Sequence, residues 1–327
     1  MEFFQEVKGQ EDLKKYFRRA IQANKIAHSY IFEGPKGVGK KTMAMALAKI
    51  LLCQGEEAPC GECKACTLME AGNHPDLIQV TKDNKTTKID TIREQVVKSM
   101  DIKPYQGPYK IVIVTEADTV TIEGQNAMLK TIEEPPSYGL IILITENLSK
   151  LLPTIKSRCI HLRFNPLTQD EMMHYLRTYP LTQTQREIYA QFSEGSIGTA
   201  KQLIEDEMFL EHRKESIHYL LELEKADLIQ VYTLQKQICD DKELIQLLLE
   251  FWLLWYRDLA VLKATGKEHL YYLDYKMQLL DMSSKLTYNT IDRHIKLIQN
   301  AIRQMNQNIY STFVIENLLL KLKERKK

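Results

Sequence analysis

One stretch limits what this chain can fold into: Gly34-Pro35-Lys36-Gly37-Val38-Gly39-Lys40-Lys41-Thr42. It follows the apolar segment Tyr30-Ile31-Phe32 and opens the helical run at residues 43–52. Strand, glycine-rich turn, then helix is the setting a phosphate-binding loop requires. The glycines let backbone N–H groups turn inward around phosphate oxygens, and the new helix adds unpaired N–H groups and the positive end of its dipole. Lys40 stands where the motif's lysine reaches the outer phosphates of ATP or ADP. A chance glycine turn before a core helix would not be expected to carry both the flanking strand and the lysine.

The position after that lysine departs from the motif. A Ser or Thr hydroxyl is wanted there to hold a magnesium ion, and this chain has Lys41, with the hydroxyl one residue late at Thr42. One helical step turns a side chain by about 100°, so Thr42 is not expected to substitute. The phosphate cradle reads as intact and the metal site as damaged.

Six cysteines are present, and four of them, Cys53, Cys60, Cys63 and Cys66, fall within fourteen residues. No secretory leader is expected from the opening residues and no apolar run is long enough to span a bilayer, so the chain reads as cytoplasmic, with no membrane association and reduced thiols. Thiols at this spacing come within reach of one tetrahedral ion, and four thiolates without histidine point to a closed structural zinc site. Cys159 and Cys239 read as ordinary buried thiols.

Continuous β-branched runs at Lys110-Ile111-Val112-Ile113-Val114 and Leu140-Ile141-Ile142-Leu143-Ile144 are expected of strands buried on both faces of a parallel sheet. A shorter strand is expected at residues 76–80, a polar turn at 81–87 and a helix at about 89–99. Strands alternating with helices give an α/β fold. At the end of the Val112 strand, where a nucleotide hydrolase places Asp then Glu, the chain has Thr115-Glu116. Glu116 is kept as a degenerate metal or base position; Asp118 lies further on and is not expected to restore the site. Two separate losses, at Lys41 and Thr115, argue against hydrolysis, because magnesium neutralises charge on the phosphates during transfer. Next comes the helix Gln125-Asn126-Ala127-Met128-Leu129-Lys130-Thr131-Ile132-Glu133-Glu134, stopped by Pro135-Pro136, and then the triplet Ser157-Arg158-Cys159.

The order of these features, over about residues 5–205, resembles the bacterial clamp-loader family of AAA+ proteins, subunits of DNA polymerase III. The resemblance implies a RecA-like P-loop domain with a zinc insert, a helical lid and an all-α collar. It implies that Arg158, in a motif with Ser157 and Cys159, is an arginine finger reaching into a neighbour's ATP site. Motor subunits of the family carry Thr after the loop lysine, Asp-Glu at the strand end and an arginine in a GSxRDA segment. Here Gly195-Ser196-Ile197-Gly198-Thr199-Ala200 has Gly198 in the arginine's place. The implied role is therefore a non-hydrolysing member of a five-subunit ring. Its partners would be gamma/tau-type motor subunits and the delta subunit, with the sliding clamp and primed DNA reached through the assembly. Nucleotide binding without turnover is compatible with the retained loop. The alternative is an active ATP-hydrolysing motor subunit.

The expected domains are 1–165, with the insert at 53–66; 166–207, opening at Pro166 with Thr168 as helix cap; and 208–327, helical by periodicity, broken at Gly266-Lys267. Net charge is +1, from 44 basic and 43 acidic residues. That balance excludes a strong global field for nucleic acid and speaks against a free zinc-bearing DNA-binding module.

Overall fold

The computed structural model describes residues 3–82, 86–240, 242–266, 270–307 and 309–324. Part of the polar turn at 81–87 and Lys267 lie outside the described residues. Two compact units are present: Met1–Thr178 with Ser193–Thr199, and Tyr179–Phe192 with Ala200–Lys327.

The first unit is built on five strands, β1 (Ser29–Glu33), β2 (Leu77–Val80), β3 (Lys110–Val114), β4 (Gly139–Thr145) and β5 (Ile160–Arg163). They pair in the order β2-β3-β4-β1-β5, every pair parallel. Side chains alternate between two layers, as a strand's period of two demands. Tyr30, Phe32, Ile111, Ile113, Leu140 and Ile142 pack with α1 (Glu11–Gln22) and α2 (Lys40–Leu52). Ile31, Val112, Val114, Ile141 and Leu143 pack on the opposite layer with Ile92, Val96, Met128 and Ile132. Each such side chain contributes about 1.5–3 kcal/mol on burial.

Local features set the helices around the sheet. α3 (Lys64–Glu70) starts at Cys63, whose sulfur accepts from Cys66 N. α4 (Ile89–Ile92) continues into a wider π-helical turn at Arg93–Lys98 rather than the uniform helix expected. α5 (Ile122–Glu133) is capped by Thr121, whose side chain accepts from Gly124 N. α6 (Pro153–Lys156) has proline in its first turn, where the missing N–H costs nothing. The expected cap at Thr168 is present as a full capping box with Glu171, opening α7 (Gln169–Leu176).

The second unit is helical: α8 (Gln183–Phe192), then α9 (Ile197–Glu205) from Ala200 on, α10 (Phe209–Lys225), α11 (Leu228–Asp240), α12 (Lys242–Thr265), α13 (Lys276–Lys285), α14 (Tyr288–Asn306) and α15 (Ser311–Lys323). Trp252 and Trp255 are fully buried at its centre. Their indole N–H groups donate to Ser216 O at 2.9 Å and to Met282 Sδ at 3.3 Å. Arg213 is buried too, bidentate to Asp274 and 4.6 Å from the Tyr272 ring centroid. A buried guanidinium is tolerable only with such pairing. In α15, Val314, Leu318, Leu319 and Leu322 join the core, whereas Phe313 faces outward.

Candidate functional sites

Parallel α/β sheets place their ligands beyond the carboxyl ends of the strands. At that edge β1 runs into residues 34–39 and then into α2. Gly34, Gly37 and Gly39 all have positive φ, at 155°, 75° and 95°. A Cβ at Gly34 would lie 2.4 Å from Phe164 O, and one at Gly37 would lie 2.3 Å from Ser196 Oγ. Glycine is therefore required at both for space as well as for conformation.

Lys40 is the first residue of α2 and only 6% exposed. Its ammonium donates to the loop's own carbonyls, Gly34 O at 2.5 Å and Pro35 O at 2.6 Å. Burial holds its pKa below the ordinary lysine value, against the opposing charges of Glu146 and Asp118. Those two acids, beyond the ends of β4 and β3, are the carboxylates whose charge Lys40 feels; from sequence Asp118 reads as too far past its strand to serve, and Glu146 belongs to no motif. Asp118 accepts from Thr145 Oγ1 at 3.2 Å. Glu116 is turned elsewhere, in an exposed ion pair with Lys82 at 3.1 Å. Thr115 Oγ1 donates to Val80 O at 3.1 Å. Lys41 is exposed and Thr42 partly buried.

Gly198, in the place of the motor arginine, lies against the phosphate loop. Its N–H donates to Gly37 O at 2.9 Å, and Ser196 Oγ donates to Lys36 O at 2.9 Å. A Cβ on Gly198 would stand 2.8 Å from Gly37 Cα, closer than real contacts allow. Glycine at 198 thus allows the two backbones to meet. Gln10 is a further residue that the sequence did not flag. Its backbone is left-handed, and Nε2 donates to Asn165 O at 2.6 Å and Val38 O at 3.4 Å.

The four cysteines converge. Sγ separations are 3.6 Å for Cys53–Cys60, 3.9 Å for Cys53–Cys63 and 4.0 Å for Cys60–Cys66, and all four sulfurs lie within 4.8 Å of one another. Four sulfurs held about 2.3 Å from one zinc ion in a tetrahedron stand about 3.8 Å apart, so the set fits that ion. Gly55 belongs to the site, since a Cβ there would be 2.8 Å from Cys60 Sγ. Backbone N–H groups of Cys66 and Gln54 donate to Cys63 Sγ and bring its pKa down to about 6. Burial pushes Cys66 up to about 12.

Arg158 follows α6 and is at the surface, its side chain 38% exposed. Nη2 pairs with Glu133 Oε1 at 2.8 Å, and Nη1 donates to Thr154 O at 3.0 Å and Ser157 Oγ at 3.2 Å. The neighbouring Cys159 thiol packs inward, and burial pushes it up to about 12. Gln125, buried in α5, donates to Lys150 O and accepts from Leu152 N, which ties α5 to the approach to α6.

A family profile described as "DNA polymerase III, delta subunit" matches residues 9–168. The delta′ subunit of DNA polymerase III from Bacillus subtilis is 28% identical over 322 residues, 96% of this chain and 96% of that protein. The tau/gamma subunit from Haemophilus influenzae is 36% identical over 175 residues, 53% of this chain but 25% of that longer protein. Among solved structures, a DNA polymerase III gamma-subunit-related protein from Thermotoga maritima aligns with a TM-score of 0.50 and 17% identity, covering 96% of this chain and 99% of its own. At that identity the likeness concerns the fold alone.

Proposed function

We propose, from the premise that this chain belongs to the DNA polymerase III delta′ family of clamp-loader subunits, that it is the non-hydrolysing stator of a clamp loader and supplies Arg158 to the ATP site of a neighbouring motor subunit. It would join gamma/tau-type subunits and delta in a five-membered ring that places the sliding clamp on primed DNA. On this reading the chain divides into a nucleotide-binding-type domain at 1–165, a lid at 166–207 and a collar at 208–327.

The observation that carries the reading is one contrast. The chain's own loop lacks hydrolytic ligands: Lys41 replaces the metal-binding hydroxyl, Thr115 Oγ1 is committed to Val80 O, Glu116 is paired with Lys82, and Gly198 is closed against Gly37. The Arg158 guanidinium, by contrast, lies at the surface with N–H groups to spare. Nucleotide, when bound, would be held by backbone N–H groups of residues 36–42 and by Lys40, once its ammonium leaves the Gly34 and Pro35 carbonyls. Zinc, when bound by Cys53, Cys60, Cys63 and Cys66, supplies cross-linking of the insert and no reaction chemistry.

A guanidinium is planar, permanently charged and able to pair bidentately with phosphate oxygens, which suits it to charge developing during phosphoryl transfer. An arginine finger is worth about 10³–10⁵ in rate at the site it serves. Arg158→Ala in a reconstituted loader should therefore silence one site among several. We expect ATP turnover to fall severalfold while the complex keeps its mass and composition. Unchanged turnover in an intact complex would remove the trans role.

A further inference from the structure

We infer that Glu133 is a positioning residue for Arg158, holding the guanidinium in its outward pose before a neighbour's phosphate arrives; the inference rests on the trans-arginine reading above. Glu133 ends α5, which the pair Pro135-Pro136 prevents from continuing. An acid in that place is disfavoured by the helix dipole, whose carboxyl end is negative. It is offset here by Arg158. The same guanidinium also meets Thr154 O at the close of α6, a carbonyl that a helix end leaves without an intrahelical partner. Arg158 thus lies where the Glu133 carboxylate, the Thr154 carbonyl (which also accepts from Ser157 Oγ at 3.1 Å) and the Ser157 hydroxyl converge.

The donor arithmetic gives this arrangement a use. Guanidinium has five N–H groups. Three are engaged, two on Nη1 and one on Nη2. Two stay available for an anion without any existing contact being broken. An ion pair this exposed, with side chains at 38% and 43%, adds little to folding stability. What it removes is rotational freedom from a long side chain, freedom that would otherwise be lost when phosphate is engaged. Positioning of this kind raises the rate of the chemical step at the neighbouring site and leaves ATP binding there unchanged.

The test is steady-state ATPase of the reconstituted loader carrying Glu133→Gln, Glu133→Ala, Arg158→Ala or the double variant Glu133→Ala/Arg158→Ala. Expected is a fall in kcat of about threefold to tenfold for each Glu133 variant, with KM for ATP unchanged, and a double variant no slower than Arg158→Ala alone. The isolated Glu133 variants should melt with the parent chain, which separates positioning from damage to α5. A Glu133 variant at full rate, a rate increase, or losses that multiply in the double variant would each overturn the inference while leaving the Arg158 role standing. No effect from Arg158→Ala would instead remove the trans reading and this inference together.

Discussion

His294 shows how one residue's surroundings become a property of the protein. It lies in α14, buried, edge-on to Tyr256 with ring centroids 5.0 Å apart, and neither ring nitrogen has a hydrogen-bond partner among the described residues. Burial, and secondarily the charge of Arg293, bring its pKa down to about 4. The charged residues Glu224, Lys285, Lys323 and Glu324 line the same small cavity. The unfolded chain holds an ordinary histidine near 6.5. Between those values the unfolded state binds the extra proton, so stability is full above about pH 6.5 and is lost as the pH falls towards 4. The loss from this group amounts to at most about 3 kcal/mol. Denaturant unfolding of His294→Phe and of the parent at pH 7, 5 and 4 should show a shallower decline in the variant. Parallel declines would mean that other groups carry the acid sensitivity.

Elements with a strong local signal were legible from sequence. The β-branched runs became β3 and β4, the glycine turn sits between β1 and α2, and Ser311–Lys323 is a helix. Each is announced by a pattern within a few residues, although β3 and β4 pair with strands far away in sequence. What stayed hidden depends on residues brought together from far apart. Gly198 closes on Gly37 across 161 positions (198 − 37). Glu133 meets Arg158 from another helix. Lys14 is charged, yet it is buried and paired with Glu11 at 2.8 Å. Phe313 reads as apolar and yet lies exposed. Periodicity has no information on such tertiary choices.

The cysteine insert is the intermediate case, because its spacing is local but its geometry needs the chain to fold back from Cys53 to Cys66. Its four sulfurs approach a tetrahedral arrangement between short turns with little core of their own, so a bound ion should contribute measurably to folding. Purified protein is expected to carry about one zinc per chain. Stripping it with a chelator, or changing Cys63→Ser, should lower the melting temperature of the first unit by several degrees, with the helical unit unmoved. Calorimetry with metal analysis checks this. A metal-free preparation melting identically would show that the turns hold the thiols together unaided.

At the scale of the molecule, the question is whether the chain turns over nucleotide or only takes part in turnover elsewhere. The alternative expected from sequence is an ATP-hydrolysing motor subunit. Against it stands the carboxyl edge of the sheet. The carboxylates that act on Lys40 are Glu146 and Asp118, neither of them at the expected strand-end position, and Asp118 is hydrogen-bonded to Thr145. Glu116 would have to leave Lys82 to serve as a base. With Thr115-Glu116 at the strand end and Lys41 beside the loop, a nucleotide's charge would be offset by backbone N–H groups and lysines. Lysines can bind phosphates, but they do not supply the bridging cation that phosphoryl transfer relies on. Purified chain with ATP and magnesium should therefore release phosphate at the background rate, and Lys40→Ala should leave that rate where it is. A fluorescent nucleotide titration run alongside separates binding from turnover, since Lys40→Ala is expected to weaken any binding that the parent shows. Phosphate release well above background that vanishes in Lys40→Ala would identify a working motor, and the contrast between this chain's loop and its surface arginine would then have to be explained by a second, independent use of Arg158.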